Sequence, residues 1–165
     1  MTTDARDILI VGAGPAGAVC ALALAQQGIA ARVLEAQAFA TRGDTRTLAL
    51  SHGARLILER VGVWDALGAV TPITRIHISQ RGALGVAHLD AADLDVPALG
   101  YVLPYAELTA ALKQALADAQ VAVEYGVAVE RIDSGADAAT LHTSRGALTT
   151  PLAVVADGGR SLDAP

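Results

Sequence analysis

Cysteine, aromatic residues and clustered histidines are scarce in this sequence of 165 residues, and each scarcity excludes a class of protein. The single cysteine, Cys20, excludes a disulfide framework and favours a reduced, cytoplasmic setting. Aromatic residues make up only 3%, so the core has to be built from Ala, Val, Leu and Ile, which suits helices packed on a buried sheet. The four histidines lack the spacing of metal ligands, so we predict no metal site.

Charge is also sparse, at 18% of residues with a formal net charge of −5. Without a stripe of Lys and Arg, we expect no nucleic-acid partner. Residues 8–25 carry no charge and are long enough to resemble a membrane span. Gly12, Gly14, Pro15 and Gly17 would break such a helix near its middle, so a buried strand followed by a packed helix is the better interpretation.

The first third of the chain has a strand–helix–strand pattern. The apolar run from Asp7 to Val11 predicts a buried parallel strand, Pro15 to Gln27 a helix that Gly28 stops, and Ala31 to Glu35 a second strand. This order predicts a parallel pair of strands joined by a crossover helix.

Further along the chain, Ser51 predicts the cap of a helix with Leu56, Ile57 and Val61 on its apolar face. Residues 73–79 alternate as a half-exposed strand, and a turn at Arg81-Gly82 leads into a partner strand over residues 86–89. Pro104 is placed in the first turn of a helix to about residue 119, and residues 152–156 form a final buried strand.

A glycine motif of the form G-x-G-x-x-G joins the first strand to the first helix. Gly12 makes the tight turn, Gly14 lets the backbone approach a diphosphate, and Gly17 allows close packing of helix on strand. The diphosphate would meet the free N–H groups at the helix start, around Pro15 and Ala16. Glu35, at the end of the second strand, stands where a carboxylate accepts hydrogen bonds from ribose hydroxyls, so the motif predicts a dinucleotide site.

Several segments resemble those of flavoprotein monooxygenases of the aromatic-hydroxylase type, and among these the ubiquinone-biosynthesis hydroxylases. Besides the glycine motif and Glu35, the resembling segments are Asp44-Thr45-Arg46-Thr47-Leu48-Ala49-Leu50, Gly62-Val63-Trp64, Ile73-Thr74-Arg75-Ile76-His77-Ile78-Ser79, Leu99-Gly100-Tyr101-Val102 and Ala156-Asp157-Gly158-Gly159-Arg160-Ser161. The resemblance covers nearly the whole chain.

This resemblance implies FAD as cofactor, NAD(P)H as co-substrate, and O₂ with a prenylated phenol as the other substrates. It places the FAD diphosphate on the glycine motif and the adenosine ribose on Glu35. It also implies that Arg46 lies along the flavin side, that the backbone of Val129 meets adenine, and that Asp157-Gly158 faces FAD and the nicotinamide. It identifies no catalytic residue. A prenylated substrate further implies peripheral association with the inner face of the membrane or with a complex of ubiquinone biosynthesis.

The sequence departs from the family at two places. Pro104-Tyr105 stands where many relatives have Arg or Asn at a helix start. A second Gly-Asp motif does not follow Asp157-Gly158 before Pro165. We therefore expect an N-terminal portion of an enzyme about twice this length or more, inactive by itself.

The predicted fold class is α/β: a Rossmann-like FAD-binding domain with a parallel sheet, a β-hairpin excursion and part of a second, substrate-domain sheet. Residues 1–70 and 103–165 are assigned to the incomplete FAD-binding domain, and residues 71–102 to the start of the substrate-domain sheet. A nicotinamide-dependent dehydrogenase and a non-catalytic, truncated dinucleotide-binding module remain as alternatives. Preference for NADH over FAD would favour the former, and association or aggregation the latter.

Overall fold

The structure is a computed structural model that describes residues 7–38, 45–80, 82 and 85–159. In chain order its elements are β1 (Ile8–Val11), α1 (Pro15–Gln26), β2 (Ala31–Glu35), β3 (Thr47–Ser51), α2 (His52–Arg60), a 3₁₀ turn (Trp64–Ala66), β4 (Thr71–Ile73), β5 (Arg75–Ser79), β6 (Val86–Asp90), a second 3₁₀ turn (Ala91–Leu94), β7 (Gly100–Pro104), α3 (Tyr105–Asp118), β8 (Ala122–Tyr125), β9 (Val129–Ser134), β10 (Ala139–Thr143), β11 (Gly146–Thr150) and β12 (Ala153–Val155).

The chain divides into two compact units. The first comprises Met1–Gly43 and Leu112–Pro165, and the second Asp44–Ala111. Helix α3 contributes its beginning to the second unit and its end to the first. The assignment of residues 71–102 alone to a substrate-domain sheet stays a prediction.

The first unit is built on a parallel sheet with the strand order β12-β1-β2-β8. Strand β1 pairs in parallel with β2, as the strand–helix–strand pattern predicts, and also with β12 from near the other end of the chain. Alanines on α1, among them the fully buried Ala18 and Ala21, keep the helix thin. Gly28, at φ +69°, follows the helix as the predicted stop. The α/β class and its parallel sheet are therefore confirmed.

A second layer of the first unit is the antiparallel sheet β11-β10-β9. A buried cluster of aliphatic residues contains Leu9 and Val11 of β1, Leu34 of β2, Val127 and Leu141. Val129 and Ile132 of β9 are among the half-buried side chains packed against it. Since these residues come from both sheets, the hydrophobic core fixes the ends of β1 and β2, where the glycine motif and Glu35 begin the site.

Thr150, which is 1% exposed, is a buried polar residue of this unit. Its Oγ1 lies 2.7 Å from the carbonyl oxygen of Asp7 and 2.8 Å from that of Leu152, so the hydroxyl ties the entry of β1 to the entry of β12.

We expect Thr150→Val to lower the free energy of unfolding by roughly 1–3 kcal/mol, because the isosteric side chain removes a buried hydroxyl that donates to one of these carbonyls and accepts a hydrogen bond from the Leu152 N–H. Urea denaturation measures the change. The neighbouring Thr149→Val is the matched control, since Thr149 is exposed on the same strand. Equal loss in both variants would contradict a specific role for the Thr150 hydroxyl.

The second unit contains the antiparallel sheet β3-β7-β4 and the two-stranded hairpin β5–β6. Ser51 caps α2 as predicted, accepting a hydrogen bond from the Ala54 N–H at 3.1 Å. The predicted partner strand after the turn is confirmed as β6, whereas Arg81 of that turn lies outside the described residues.

Three predictions about local structure are wrong. Leu56 and Ile57 of α2 are 49% and 53% exposed, and the buried side chains are Leu58 and Val61. Residues 73–79 do not form one half-exposed strand, because the segment splits into β4 and a β5 that is exposed on both faces. Pro104 ends β7 opposite Thr47 instead of starting α3.

The last strand, β12, is also less buried than predicted. It stands at an edge of the parallel sheet, and Leu152 and Val155 beside or within it are each 53% exposed. The uncharged stretch of residues 8–25 folds as β1 and α1. Among the described residues, no helix has the length and apolar character needed to cross a membrane.

Candidate dinucleotide-binding site

The glycine motif packs so tightly that two of its glycines leave no room for a side chain. A Cβ on Gly17 would lie 2.0 Å from the carbonyl oxygen of Gly12, and one on Gly12 would lie 2.5 Å from that of Ala156. Gly12 also has φ +101°, a backbone conformation that L-residues rarely adopt. Its N–H donates to the Leu34 carbonyl at 2.8 Å, which fixes the turn to β2.

Gly14 differs from the other two glycines, because a Cβ there would meet nothing within 4 Å. It caps α1 in an extended conformation, and Pro15 occupies the first helical turn. No side chain caps the helix and no acidic residue lies in its first turn. The N–H groups of Ala16 and Gly17 are too near the helix start for intrahelical partners, so this end of α1 offers donors and a positive dipole to an anion.

Glu35 is held at the end of β2 by two backbone donors. Its Oε2 accepts a hydrogen bond from Ala13 N–H at 2.7 Å, and its Oε1 accepts one from Gln37 N–H at 2.8 Å. A carboxylate has about four lone-pair sites, so each oxygen can still accept a further hydrogen bond. The side chain therefore links the glycine motif to β2 and remains able to bind a pair of hydroxyls.

The segment from Tyr125 to Val129 lies beside Glu35. Gly126 N–H donates to the Gln37 carbonyl at 3.1 Å, and Val127 N–H to the Glu35 carbonyl at 2.9 Å. Val129 starts β9 opposite Thr143, and its side chain packs on the aliphatic core. The backbone of Val129 therefore comes directly after the loop of residues 126–128, which lies beside Glu35.

Tyr125 faces Glu35 across the β2–β8 pair. Partial burial, with a smaller contribution from the Glu35 charge, raises the pKa of its phenol above the ordinary value. Both causes disfavour the phenolate, so the neutral ring is the form that the folded chain stabilises.

A raised pKa in the folded state predicts loss of stability in alkali. The contribution of Tyr125 is complete below the ordinary tyrosine pKa, about 10, and is lost as the pH rises through the raised value. Urea unfolding of the wild type and Tyr125→Phe on either side of about pH 10 measures this. We expect the variant to lose less unfolding free energy with rising pH, and equal losses would contradict the assignment.

Asp157 and Gly158 follow β12 next to the glycine motif. A Cβ on Gly12 would lie 3.1 Å from the Cα of Asp157, and Ala156 N–H donates to the Val11 carbonyl at 2.8 Å. Asp157 Oδ1 accepts a hydrogen bond from Gly159 N–H at 3.1 Å, and Gly158 has φ +76°. The structure therefore brings together the first glycine and the Asp-Gly pair, while Arg160 and Ser161 lie outside the described residues.

Arg46 belongs to the second unit, in which it stacks on Tyr105. Its guanidinium carbon lies 5.0 Å from the centroid of the Tyr105 ring, and its carbonyl accepts the Tyr105 N–H at 2.9 Å. Tyr105 follows Pro104, at the place where the sequence departs from the family pattern. Arg46 and Tyr105 thus form one stacked pair, which the sequence did not predict.

A second cluster that the sequence did not predict also lies in the second unit. The guanidinium carbon of Arg55 lies 5.4 Å from the Trp64 ring and 5.9 Å from the ring of Tyr101, and the two rings meet edge to face at 5.0 Å. His52 stacks on Tyr101 at 6.5 Å. The sequence did contain a signal that could have pointed to this cluster. Aromatic residues are scarce, and Trp64 and Tyr101 both lie in segments that resemble the family.

Within the described ranges, no group of three or more His, Cys, Asp or Glu side chains is placed to hold a metal ion. The site consists of backbone donors, a carboxylate and close-packed glycines, a combination that is suited to binding a dinucleotide.

Comparison with known families and proteins agrees with this geometry. A model of the FAD binding domain family matches residues 5–164. The 3-demethoxyubiquinol 3-hydroxylase of Escherichia coli (strain K12) is 37% identical over 123 residues, which are 70% of this chain and 31% of that protein. The ubiquinone hydroxylase UbiL of Rhodospirillum rubrum is 31% identical over 102 residues, covering 59% of this chain and 24% of the relative. The chain spans less than a third of the length of either hydroxylase.

Solved structures share the fold over almost the whole chain. CabE, an aromatic hydroxylase from angucycline biosynthesis, superposes with a TM-score of 0.80 at 25% identity, over 96% of this chain and 32% of CabE. The p-nitrophenol 4-monooxygenase PnpA of Pseudomonas putida DLL-E4 superposes with a TM-score of 0.75 at 23% identity, over 94% of this chain and 42% of PnpA.

Proposed function

The chain belongs to the FAD binding domain family, and from this premise we propose that it forms the dinucleotide-binding part of an FAD-dependent aromatic hydroxylase. The observation that carries the proposal is the arrangement of Gly14 and Glu35. Gly14 opens onto free space at an uncapped helix start, and Glu35 keeps hydrogen-bonding capacity while anchored to the same loop. A diphosphate joined to a ribose fits the first by charge and the second by its hydroxyls.

The residues of the site have separate roles in this proposal. The backbone around Gly14, Pro15 and Ala16 would bind the FAD diphosphate, with Gly12 and Gly17 shaping the loop. At the adenosine end, Glu35 would bind the ribose and the backbone of Val129 would bind adenine. At the flavin end, Arg46 would lie along the flavin side of FAD, and Asp157-Gly158 would face FAD and the nicotinamide that reduces it.

The proposed reaction is the hydroxylation of a prenylated phenol in ubiquinone biosynthesis, with NAD(P)H as reductant and O₂ as oxidant. Bound flavin would supply the redox chemistry, and the protein its position and shielding from water. The two curated hydroxylases, both named for ubiquinol or ubiquinone substrates, support this substrate class. The family-like segments also resemble those of the 2-octaprenyl-6-methoxyphenol hydroxylases. Such a substrate favours a cytoplasmic enzyme at the inner face of the membrane, or one in a complex of ubiquinone biosynthesis.

Binding is tested first, on this chain. Titration with FAD, followed by flavin fluorescence, should saturate, whereas NADH at the same concentrations should bind more weakly. Tight binding of NADH without FAD binding would instead support a nicotinamide-dependent dehydrogenase.

Activity is tested on the enzyme extended through its natural downstream sequence. The protein should purify yellow and oxidise NAD(P)H faster when a prenylphenol is added, and the product should contain one oxygen atom from isotopically labelled O₂. A yellow protein that oxidises NAD(P)H without incorporating oxygen into any prenylphenol would contradict the substrate class while leaving FAD binding intact.

A further inference from the structure

Two histidines, separated by the hairpin turn, meet across the β5–β6 hairpin. Strand register places His77 directly opposite His88. His88 Nε2 lies 3.1 Å from His77 Nδ1, and the ring centroids are 4.9 Å apart with the planes tilted by 44°. Both residues are exposed. We propose that this pair is a binding site for a divalent transition-metal ion of the Zn²⁺, Ni²⁺ or Cu²⁺ class.

The separation of the two nitrogens suits chelation. An imidazole nitrogen binds Zn²⁺ at about 2.0–2.1 Å, so two nitrogens 3.1 Å apart subtend an angle of about 100° at a shared ion. That angle lies between the values for octahedral and tetrahedral coordination, which these metals adopt. Binding requires both facing nitrogens to present lone pairs, so His77 would carry its proton on Nε2 and His88 on Nδ1.

Arg75 and Asp90 form the neighbouring pair on the same face of the hairpin, and the Asp90 carboxylate is not available as a further ligand. Asp90 Oδ2 accepts hydrogen bonds from Arg75 Nη2 at 2.6 Å and from Arg75 Nε at 2.9 Å, and its Oδ1 accepts one from Ala92 N–H at 3.2 Å. These hydrogen bonds hold the pKa of Asp90 below its ordinary value. The Arg75 charge is thereby paired, and because both histidines are exposed, water would supply the remaining ligands.

A metal ion bound at this site would stabilise the β5–β6 hairpin. Strands β5 and β6 pair only with each other in their sheet, and every residue of β5 is exposed. A two-stranded hairpin is marginally stable in water. An ion bound to one histidine from each strand would cross-link them and stabilise the hairpin, since metal binding to the folded form adds to folding free energy.

The test uses this chain without an affinity tag, after treatment with a chelator, titrated with Zn²⁺ against a chromogenic competitor. We expect the wild type to bind one Zn²⁺ that His77→Gln and His88→Gln each bind at least about tenfold more weakly, because either change removes one of two ligands. Zn²⁺ should also raise the melting temperature of the wild type more than that of either variant.

Two variants serve as controls. His142→Gln removes the half-buried histidine of β10, which contacts Asp133 and Arg131, and Cys20→Ser removes the one thiol. Neither residue lies in the hairpin, so both variants should bind Zn²⁺ as the wild type does. Far-UV circular dichroism checks that each variant is folded. If one histidine variant does not fold, the other alone tests the proposal, because the site needs both rings. Equal Zn²⁺ affinity in the wild type and both histidine variants would overturn the proposal and leave the pair as a hydrogen bond between imidazoles.

Discussion

Gly17→Ala should unfold at much lower urea concentration than the wild type, with a loss in unfolding free energy of roughly 3 kcal/mol or more. The added Cβ would lie 2.0 Å from the backbone oxygen of Gly12 and 3.4 Å from the Cβ of Ala156. A backbone oxygen cannot rotate away like a flexible side chain, so either the loop or α1 has to move. The higher helix propensity of alanine, about 1 kcal/mol, is too small to offset this cost.

Gly14→Ala is the matched control, because it adds the same methyl group within the same motif. Nothing lies within 4 Å of the added Cβ, and the extended backbone of Gly14 is one that alanine adopts before a proline. We therefore expect nearly unchanged stability but roughly ten- to hundredfold weaker FAD binding, since the methyl occupies the approach of the diphosphate. If both variants unfold alike, the glycines do not have the separate roles that their surroundings indicate.

Glu35→Gln should have the second largest effect, weakening FAD binding by roughly ten- to hundredfold. The carboxylate accepts hydrogen bonds from Ala13 and Gln37 through different oxygens, and an amide retains only one accepting oxygen. The amide NH₂ would face a backbone N–H, so the side chain has to turn or leave one donor unpaired. Both the ribose acceptor and the link from β2 to the glycine motif are weakened.

Flavin fluorescence titration measures the affinity, and urea denaturation separates it from stability. Glu130→Gln, on the exposed side of β9, is the control for removing one negative charge from the same unit. If this control weakens FAD binding as much as Glu35→Gln does, the effect comes from net charge and not from the contacts of Glu35.

The local features that the sequence predicted well are those in which one residue determines the backbone. Gly28 stops α1 because its φ is +69°, and Ser51 caps α2 because its hydroxyl reaches a free N–H. The β1–α1–β2 unit was predictable because its hydrophobic periodicity and glycine spacing are both short-range. The roles of the individual site residues stay predictions.

The wrong predictions concern features that depend on distant partners. Leu56, Ile57 and Leu58 are consecutive, so their side chains point in different directions around the helix and do not identify one buried face. Leu58 is the buried one because of how the helix packs within the second unit. An apolar run such as β12 does not show whether a strand will have one neighbour or two. The meeting of His77 with His88 likewise follows from hairpin register, which spacing along the sequence does not reveal.

The pairing of β1 with β12 has a consequence for how the chain acquires its structure. The carbonyl of Ala156 and the Cα of Asp157, which closely confine Gly12, come from nearly the opposite end of the sequence. During synthesis β1, α1 and β2 emerge long before this partner, so the turn at Gly12 forms without the wall that later encloses it. Contacts of such long sequence separation slow folding, and we expect the glycine loop to reach its final shape only after the hairpin β10–β11 has formed.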